Sequence, residues 1–435
     1  MALLNAAGRR GHGRLYYGWI VLVVGTIGAV ASIPGQTAGV SVFTDRLTEA
    51  TGLSRVDLSV AYLVGTGASG FALPRAGRAL DRWGARVVAT CAVVLLASTL
   101  VVLSSVGPMG PALGLAVMSL AFGSLRFSGQ GLLTLSSRTM ISLWFERRRG
   151  VVSAWSNAAV SFAFAVSPAL LLVLVEARGF RAAWRLMAFV LVAVVGTMVI
   201  ALYRRDPESV GQVVDGSSDD RGDPDVVERR ATADRTRAEA LRSRSFWAVT
   251  IPVVALASTS TALTFHILDL GTEVGVPDDR IVRIFLPVAV ISVPVTFIGG
   301  WLVDRSAVVA VGAVMSAAQV VMYLSVPWMG GSLGAIVTVV SWGIAQGCYA
   351  PLTSAALAAL FGRRHLGSIA GVQMSMMVLG SAVGPALFAV VQASTGSYRA
   401  AIWGSIAVPL IGLVIAATGR RSPRTDELAV TAALR

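Results

Sequence analysis

The side chains that could do chemistry in this sequence are few, and most of them interrupt long apolar runs. The most informative is Arg126, which lies fifteen residues after Pro111, so roughly 22 Å along a helix that begins there. Burying an arginine at that depth is costly, so we expect it to face a wet cavity or a polar partner. It could attract an anionic substrate or couple charge to a proton. It could equally be a hydrogen-bonded tether between helices.

Other polar residues lie within apolar runs with no evident polar partner nearby in the sequence: Gln36, Gln130, Asn157, Gln346 and Gln373. Each could line a cavity as a hydrogen-bonding group, or bond to a neighbouring helix. His266 is a further candidate, because Asp269 follows three residues later on the same helix face. Such a pair could carry a proton at a pore mouth. We favour the alternative that it is a polar pair at a helix end.

Catalytic and metal chemistry find little support in the sequence. The three histidines are scattered, and no G-x-x-x-x-G-K-[ST] phosphate-binding loop occurs. We therefore predict no enzyme activity, no catalytic residue, no bound metal and no cofactor.

The composition places these residues in a membrane. Hydrophobic residues make up 55% of the chain and charged residues 14%, against roughly 25% charged in a soluble domain. So few charges cannot cover a soluble protein of 435 residues, so lipid is the expected solvent. Twelve apolar runs are long enough to span a bilayer as helices, near 17–43, 57–74, 87–106, 111–140, 150–175, 183–203, 246–270, 281–303, 307–326, 333–360, 366–392 and 399–418.

The charge distribution predicts the orientation. A polar segment at 204–244, rich in Asp, Gly and Ser, separates two sets of six runs and is typical of a flexible linker. All 36 basic residues are arginine, and they are concentrated in the linker, the tails and the loops on the same side. The positive-inside rule puts both termini and the linker in the cytoplasm. The net charge of +13 then suits anionic lipid headgroups rather than nucleic acid.

The two sets of runs are related to each other. The spacing G-x-x-x-D-R occurs after the second run and again at the end of the eighth, and Gln130–Gly131 recurs as Gln346–Gly347. An aspartate at a helix end can cap a neighbouring helix, and the glycines allow close approach. The arginines can hold carboxylates or carbonyls across a seam. A simple anchoring loop is the alternative. The residues concerned are Gly77, Asp81, Arg82, Gly84, Arg86, Gly300, Asp304 and Arg305.

These motifs resemble the major facilitator superfamily. GRALDRWGAR at 77–86 is similar to its signature loop, and YYGW, PGQTAGVSVF, LSVAYLVGT and RFSGQG resemble the branch of oxalate/formate antiporters and monocarboxylate transporters. The resemblance implies an all-α fold of twelve transmembrane helices in two pseudo-symmetric six-helix bundles. It also implies that the Asp81 loop is a latch that steadies the state closed to the cytoplasm, with Asp304 as a weaker copy. The cations that this branch uses deep in helices 8 and 11 are missing here.

We therefore expect a cytoplasmic tail (1–16), a six-helix bundle (17–203), the cytoplasmic linker (204–244), a second bundle (245–418) and a second tail (419–435). The predicted function is secondary active transport of a small organic anion, such as a monocarboxylate, by alternating access in a bacterial inner membrane. A proton or counter-anion would drive it, with the lipid bilayer as the other partner and a monomer as the unit. The alternatives are a transporter-like membrane sensor, or an exporter of a drug-like or other non-anionic molecule.

Overall fold

Helices account for the regular structure of the described part of the chain. The computed structural model describes residues 16–216 and 234–418, and these contain no strand. Ten of their helices are long and apolar enough to cross a membrane. The longest, Arg55–Leu103, is two helices joined at Gly84, whose φ of 80° breaks the helix. With the shorter apolar helix Gly18–Val30 the described chain has twelve membrane helices, as the apolar runs predict.

We number these helices in chain order. They are α1 (Gly18–Val30), α2 (55–83), α3 (85–103), α4 (Pro111–Trp144), α5 (Arg149–Arg178), α6 (Phe180–Leu202), α7 (Arg244–Phe265), α8 (Phe285–Asp304), α9 (Val308–Trp328), α10 (Ser332–Ser354), α11 (Leu366–Thr395) and α12 (Arg399–Thr418). We call the side at which α6 ends and α7 begins the linker side, and the opposite side the distal side.

The helices form two bundles, each with its own core. One cluster of buried apolar residues runs from Val21 to Tyr203 and the other from Ala240 to Ile402. Large apolar side chains such as Leu120, Phe162 and Leu333 are about three-quarters exposed, at 75%, 74% and 74%. Apolar faces of this kind suit a lipid solvent.

Helix α1 stops earlier than the apolar run predicts. The run extends to residue 43, but the helix ends at Val30, and a 3₁₀ turn at Ile33–Gly35 precedes a short helix at Thr37–Ser41. Pro34 is responsible in part, because proline donates no backbone hydrogen bond. Gly35 packs so closely against Gly129 of α4 that a Cβ on either glycine would overlap the other's backbone.

The described ends of the linker differ from the flexible segment that the composition predicts. Residues Glu208–Val210 and Val214–Gly216 form 3₁₀ turns, and Arg237–Arg242 forms a short helix that we call the linker helix. Thr236 and Glu239 make a capping box at its start, which satisfies two backbone N–H groups. The predicted tails, apart from Tyr16, and residues 217–233 lie outside the described residues.

Candidate functional site

Two aspartates join the bundles on the linker side. The Asp81 carboxylate, near the end of α2, accepts hydrogen bonds from the backbone N–H groups of Gly367 (2.6 Å) and Ser368 (2.7 Å) at the start of α11. Asp304, at the end of α8, accepts them from Gly150 (2.5 Å) and Val151 (3.1 Å) at the start of α5. Each carboxylate therefore caps the N-terminus of a helix in the other bundle, where the helix dipole favours negative charge.

The glycines beside these aspartates allow the contact. A Cβ on Gly77 would overlap the Gly367 carbonyl, and a Cβ on Gly300 would overlap the Gly150 backbone. The two backbones can therefore approach only because both partners lack side chains.

The motif arginines Arg82, Arg86 and Arg305 do not reach across the interface between the bundles, which we call the seam; the sequence predicts that they do. Arg86 donates to the Tyr203 carbonyl (3.0 Å) in its own bundle. Arg82 lies over the ring of its neighbour Trp83, and Arg305 lies 3.9 Å from the ring centroid of Trp301. In these two motifs, the aspartates rather than the arginines contact the other bundle.

Arg126 lies in the core of the first bundle. It is 3% exposed and begins a π-helical stretch, Arg126–Leu133, within α4. Its Nη1 donates to the Gly35 carbonyl (3.3 Å) and to Thr37 Oγ1 (3.2 Å), and its guanidinium lies 5.4 Å from the Tyr62 ring centroid. Its Nε has no hydrogen-bond partner among the described residues. The contacts are those of a tether that holds the break after α1, and the Nε donor remains unused.

Gln36 and Gln130 lie near this tether. Gln36, half-buried, donates to Ser32 Oγ (2.9 Å) and Thr134 Oγ1 (3.4 Å), which ties the break to α4. The Gln130 Oε1 atom is buried, and no described residue donates to it. A buried amide oxygen without a donor indicates a place for water or a ligand.

Asn157 reaches the other bundle. Its Nδ2 donates to the Ser153 carbonyl (2.8 Å) and to Ser354 Oγ (3.2 Å) at the end of α10. The Ser354 carbonyl accepts a further hydrogen bond from Ser142 of α4. Asn157 is therefore part of the seam between the bundles.

Gln346 is exposed in the middle of α10. It stands three and seven residues before Tyr349 and Thr353, so it shares their helix face. Tyr349 and Thr353 face the first bundle, because Tyr349 lies within electrostatic range of Arg138 of α4 and Thr353 lines the cavity between the bundles. Gln346 therefore lies on the face of α10 that looks toward the seam.

A small cavity of about 30 Å³ lies between the bundles next to the seam, and with the open space at its mouth the cleft measures about 440 Å³. Gln373 is 2% exposed and lines it, while its Nε2 donates to Thr250 Oγ1 (3.4 Å) of α7. The lining comes from three helices and the segment after α10: Leu135, Arg138, Thr139, Ser142, Thr353, Ser354, Leu357, Leu366, Ala370, Gln373, Met374 and Met377.

Arg138 is the residue of this cavity that the sequence analysis missed. It lies two residues before the predicted end of its span at residue 140, where it is hard to distinguish from the arginines of the following loop. The helix continues to Trp144, which puts Arg138 inside it, twelve residues beyond Arg126. The apolar residues Met140, Ile141, Leu143 and Trp144 that follow it were the available signal.

His266 lies apart from these groups. Its Nε2 is 3.0 Å from the Pro385 carbonyl, and its Nδ1 is 3.2 Å from the Tyr398 hydroxyl, so its described partners all belong to the second bundle. The Tyr398 hydroxyl donates to Asp269 (3.4 Å), and burial, reinforced by that carboxylate, raises the pKa of Tyr398. The arrangement resembles the polar pair at a helix end that we favoured, extended by a tyrosine.

Metal chemistry has no obvious place in the described chain. Within residues 16–216 and 234–418, no group of three or more His, Cys, Asp or Glu side chains could hold a metal ion.

Comparison with known proteins identifies the family. The model of the Major Facilitator Superfamily matches residues 24–385. No curated protein sequence matches the chain. Among solved structures, the human organic anion transporter MFSD10 (TETRAN) is 14% identical, with a TM-score of 0.65 over 92% of this chain and 99% of that one.

Two bacterial transporters are similar in the same way. The E. coli fucose:proton symporter FucP is 12% identical, with a TM-score of 0.60 over 94% of this chain and 100% of that one. A bacterial homologue of the iron transporter ferroportin, in an outward-facing state, is 14% identical, with a TM-score of 0.65 over 91% and 98%. At such identities these likenesses concern the fold. Together with the family match, they show that the chain belongs to the Major Facilitator Superfamily, as a multi-pass membrane transporter of small solutes.

Proposed function

We propose that this transporter moves a small organic anion, such as a monocarboxylate, by secondary active transport. The observation that carries the proposal is the pair of arginines inside α4. Neither Arg126 nor Arg138 has a carboxylate partner among the described residues. An arginine at mid-bilayer, such as Arg126, costs about 2.5–3.5 kcal/mol on insertion scales. Arg138 lies nearer the linker-side end of α4, and the lack of a carboxylate partner at both arginines favours an anion as the missing partner. The human organic anion transporter of similar fold is consistent with that class.

Alternating access is the mechanism we propose. The hydrogen bonds described between the bundles lie on the linker side and near mid-membrane, including those of Asp81, Asp304 and Asn157. Near mid-membrane, Ser375 of α11 donates to the Gly70 carbonyl of α2 (2.7 Å). This is the arrangement of a state closed on the linker side, and the opposite state requires these bonds to break. The arginine-rich loops favour the cytoplasm for the linker side and for both termini, in a bacterial inner membrane.

Transport assays in proteoliposomes test the proposal. We expect uptake of labelled monocarboxylates and not of their neutral amides, with a dependence on a pH or counter-anion gradient. Arg126→Gln should reduce anion uptake at least tenfold, because it removes an interior positive charge and the tether of α1. Arg46→Gln is the matched control, since Arg46 is an exposed arginine outside the bundles' interior. Uptake of a neutral solute alone, or full anion uptake by folded Arg126→Gln, would contradict the proposal.

A further inference from the structure

The cavity between the bundles contains a cation without a counter-charge. Arg138 projects from α4 into this cavity and is half-buried there. Tyr349 of α10, in the other bundle, lies within electrostatic range of the Arg138 guanidinium. In the part of the chain that the structure describes, no carboxylate pairs with it. A guanidinium presents a planar fork of donors that matches a carboxylate.

The rest of the cavity offers no second full charge. Its hydroxyl groups largely serve their own helix: Thr353 donates to the Tyr349 carbonyl (3.0 Å), and Ser354 donates to the Ala350 carbonyl (2.6 Å). The opposite wall carries the thioethers of Met374 and Met377, and Tyr349 also reaches Met377. Methionine adapts to apolar ligands of different shapes. A dianion would place its second charge against these apolar side chains, which is costly.

Arg138 differs from Arg126 in what it can still bind. Arg126 donates hydrogen bonds to Gly35 and Thr37 and is buried within one bundle. Arg138 lies at the boundary of both bundles, beside a small cavity that opens into a wider cleft. Leu366 also lines the cavity and precedes Gly367, which Asp81 caps. A ligand held at Arg138 therefore sits directly inside the closed seam.

We propose that Arg138 binds the carboxylate of an amphipathic monocarboxylate whose apolar body packs against Met374 and Met377. This inference rests on the proposed anion transport and adds the binding residue and the substrate class. The anion replaces the missing counter-charge at the seam. When the seam opens, the same ligand is the first to face the linker side.

Calorimetric titration of the purified full chain in detergent, with three ligands built on one ring, tests the assignment. Benzoate carries one charge, benzamide none and terephthalate two, and butyrate serves as a smaller monocarboxylate. We expect the wild-type protein to bind a monocarboxylate at least tenfold more tightly than benzamide or terephthalate. Arg138→Gln should weaken benzoate binding at least tenfold and leave benzamide binding unchanged, because only the charged ligand uses the guanidinium.

Two further variants complete the design. Arg138→Lys retains the charge without the fork and should restore part of the affinity, whereas Arg46→Gln should bind as the wild-type protein does. If Arg138→Gln fails to fold, the wild-type preference for benzoate over benzamide and the Arg138→Lys affinity still decide the question.

The failures of the two proposals are distinguishable. Anion uptake by the wild-type protein together with unchanged benzoate affinity in Arg138→Gln overturns the role of Arg138 alone. Absence of monocarboxylate binding to the wild-type protein, or tighter binding of terephthalate, overturns it too. If the wild-type protein carries no anion into proteoliposomes at all, the proposed function fails, and the assignment of Arg138 falls with it.

Discussion

At the scale of single residues, the seam depends on two carboxylates that each accept two backbone N–H groups of the opposite bundle. A cap of this kind contributes about 1 kcal/mol, and the charge adds to it through the helix dipole. Asp81 and Asp304 occupy equivalent positions in the two halves, so the closed state is held by two caps of one design. Loss of either should shift the balance between closed and open states.

Asp81→Asn tests this balance. An amide side chain has one oxygen where the carboxylate has two, so it retains one of the two hydrogen bonds and no charge. Losing about 1 kcal/mol raises the open population about fivefold. The probe is Thr353→Cys in a background with Cys91→Ser and Cys348→Ala. We expect a membrane-impermeant thiol reagent, added on the linker side, to label this cysteine about fivefold faster in Asp81→Asn. Asp206→Asn, on the same side but without a partner in the other bundle, should leave the rate unchanged. A rate in Asp81→Asn equal to this control would contradict the latch.

At the scale of elements, aspartates at the two ends of the linker accept hydrogen bonds from backbone N–H groups, as Asp81 and Asp304 do between the bundles. Asp215 accepts from the backbone N–H groups of Glu146 (3.1 Å) and Arg147 (2.8 Å), between α4 and α5. Asp234 accepts from those of Arg363 (2.7 Å) and Arg364 (3.2 Å), between α10 and α11.

Each of these two loops thus receives one aspartate from the linker and another from the opposite bundle. Glu208 also pairs with both terminal nitrogens of Arg363 (3.0 and 3.2 Å), which joins the linker to the second bundle. The linker therefore helps to fix the two loops that the seam uses.

Removing these caps should loosen the loops locally. In Asp215→Ala with Asp234→Ala, the four capped amides lose their acceptors, so we expect hydrogen exchange at residues 146–147 and 363–364 to rise about fivefold. Mass spectrometry of exchanged peptides measures this. Glu239→Ala is the control, because it removes a carboxylate cap that serves only the linker helix. A rise spread evenly over the protein, or none, would show that the linker carboxylates do not order the loops.

These elements also show which features of the fold and of the site could be predicted from the sequence. Twelve helices were predictable, because a bilayer demands long apolar segments whatever their packing. The break near Pro34 is consistent with a proline in the run, but its tether to Arg126 was not predictable, because that contact depends on how α1 meets α4. Arg138 was missed because a charge near a helix end resembles a loop charge until the packing of the opposite bundle is known. The Asp-rich linker has the composition of a flexible segment, and its order comes from tertiary contacts.

At the scale of the whole molecule, the two bundles have separate cores and meet through polar and small residues together with a few apolar contacts, such as that of Trp155 with Phe297. Such an interface can separate without exposing a core, which is what a rocking motion needs. The contact between Ser142 and Ser354 is a suitable probe, since it joins α4 to α10 beside the cavity. Thr26 and Ser156 make a similar hydroxyl contact (2.7 Å), but both belong to the first bundle.

Cross-linking these two pairs separates movement between the bundles from movement within one. In the background without native cysteines, we expect a short reducible bis-thiol reagent joining Ser142→Cys to Ser354→Cys to stop transport, and reduction to restore it. The same reagent between Thr26→Cys and Ser156→Cys should leave most transport intact, because those helices move together as one body. Full transport with the first pair completely cross-linked would exclude separation of the bundles at this seam. Inhibition by both pairs alike would place the essential movement inside the first bundle.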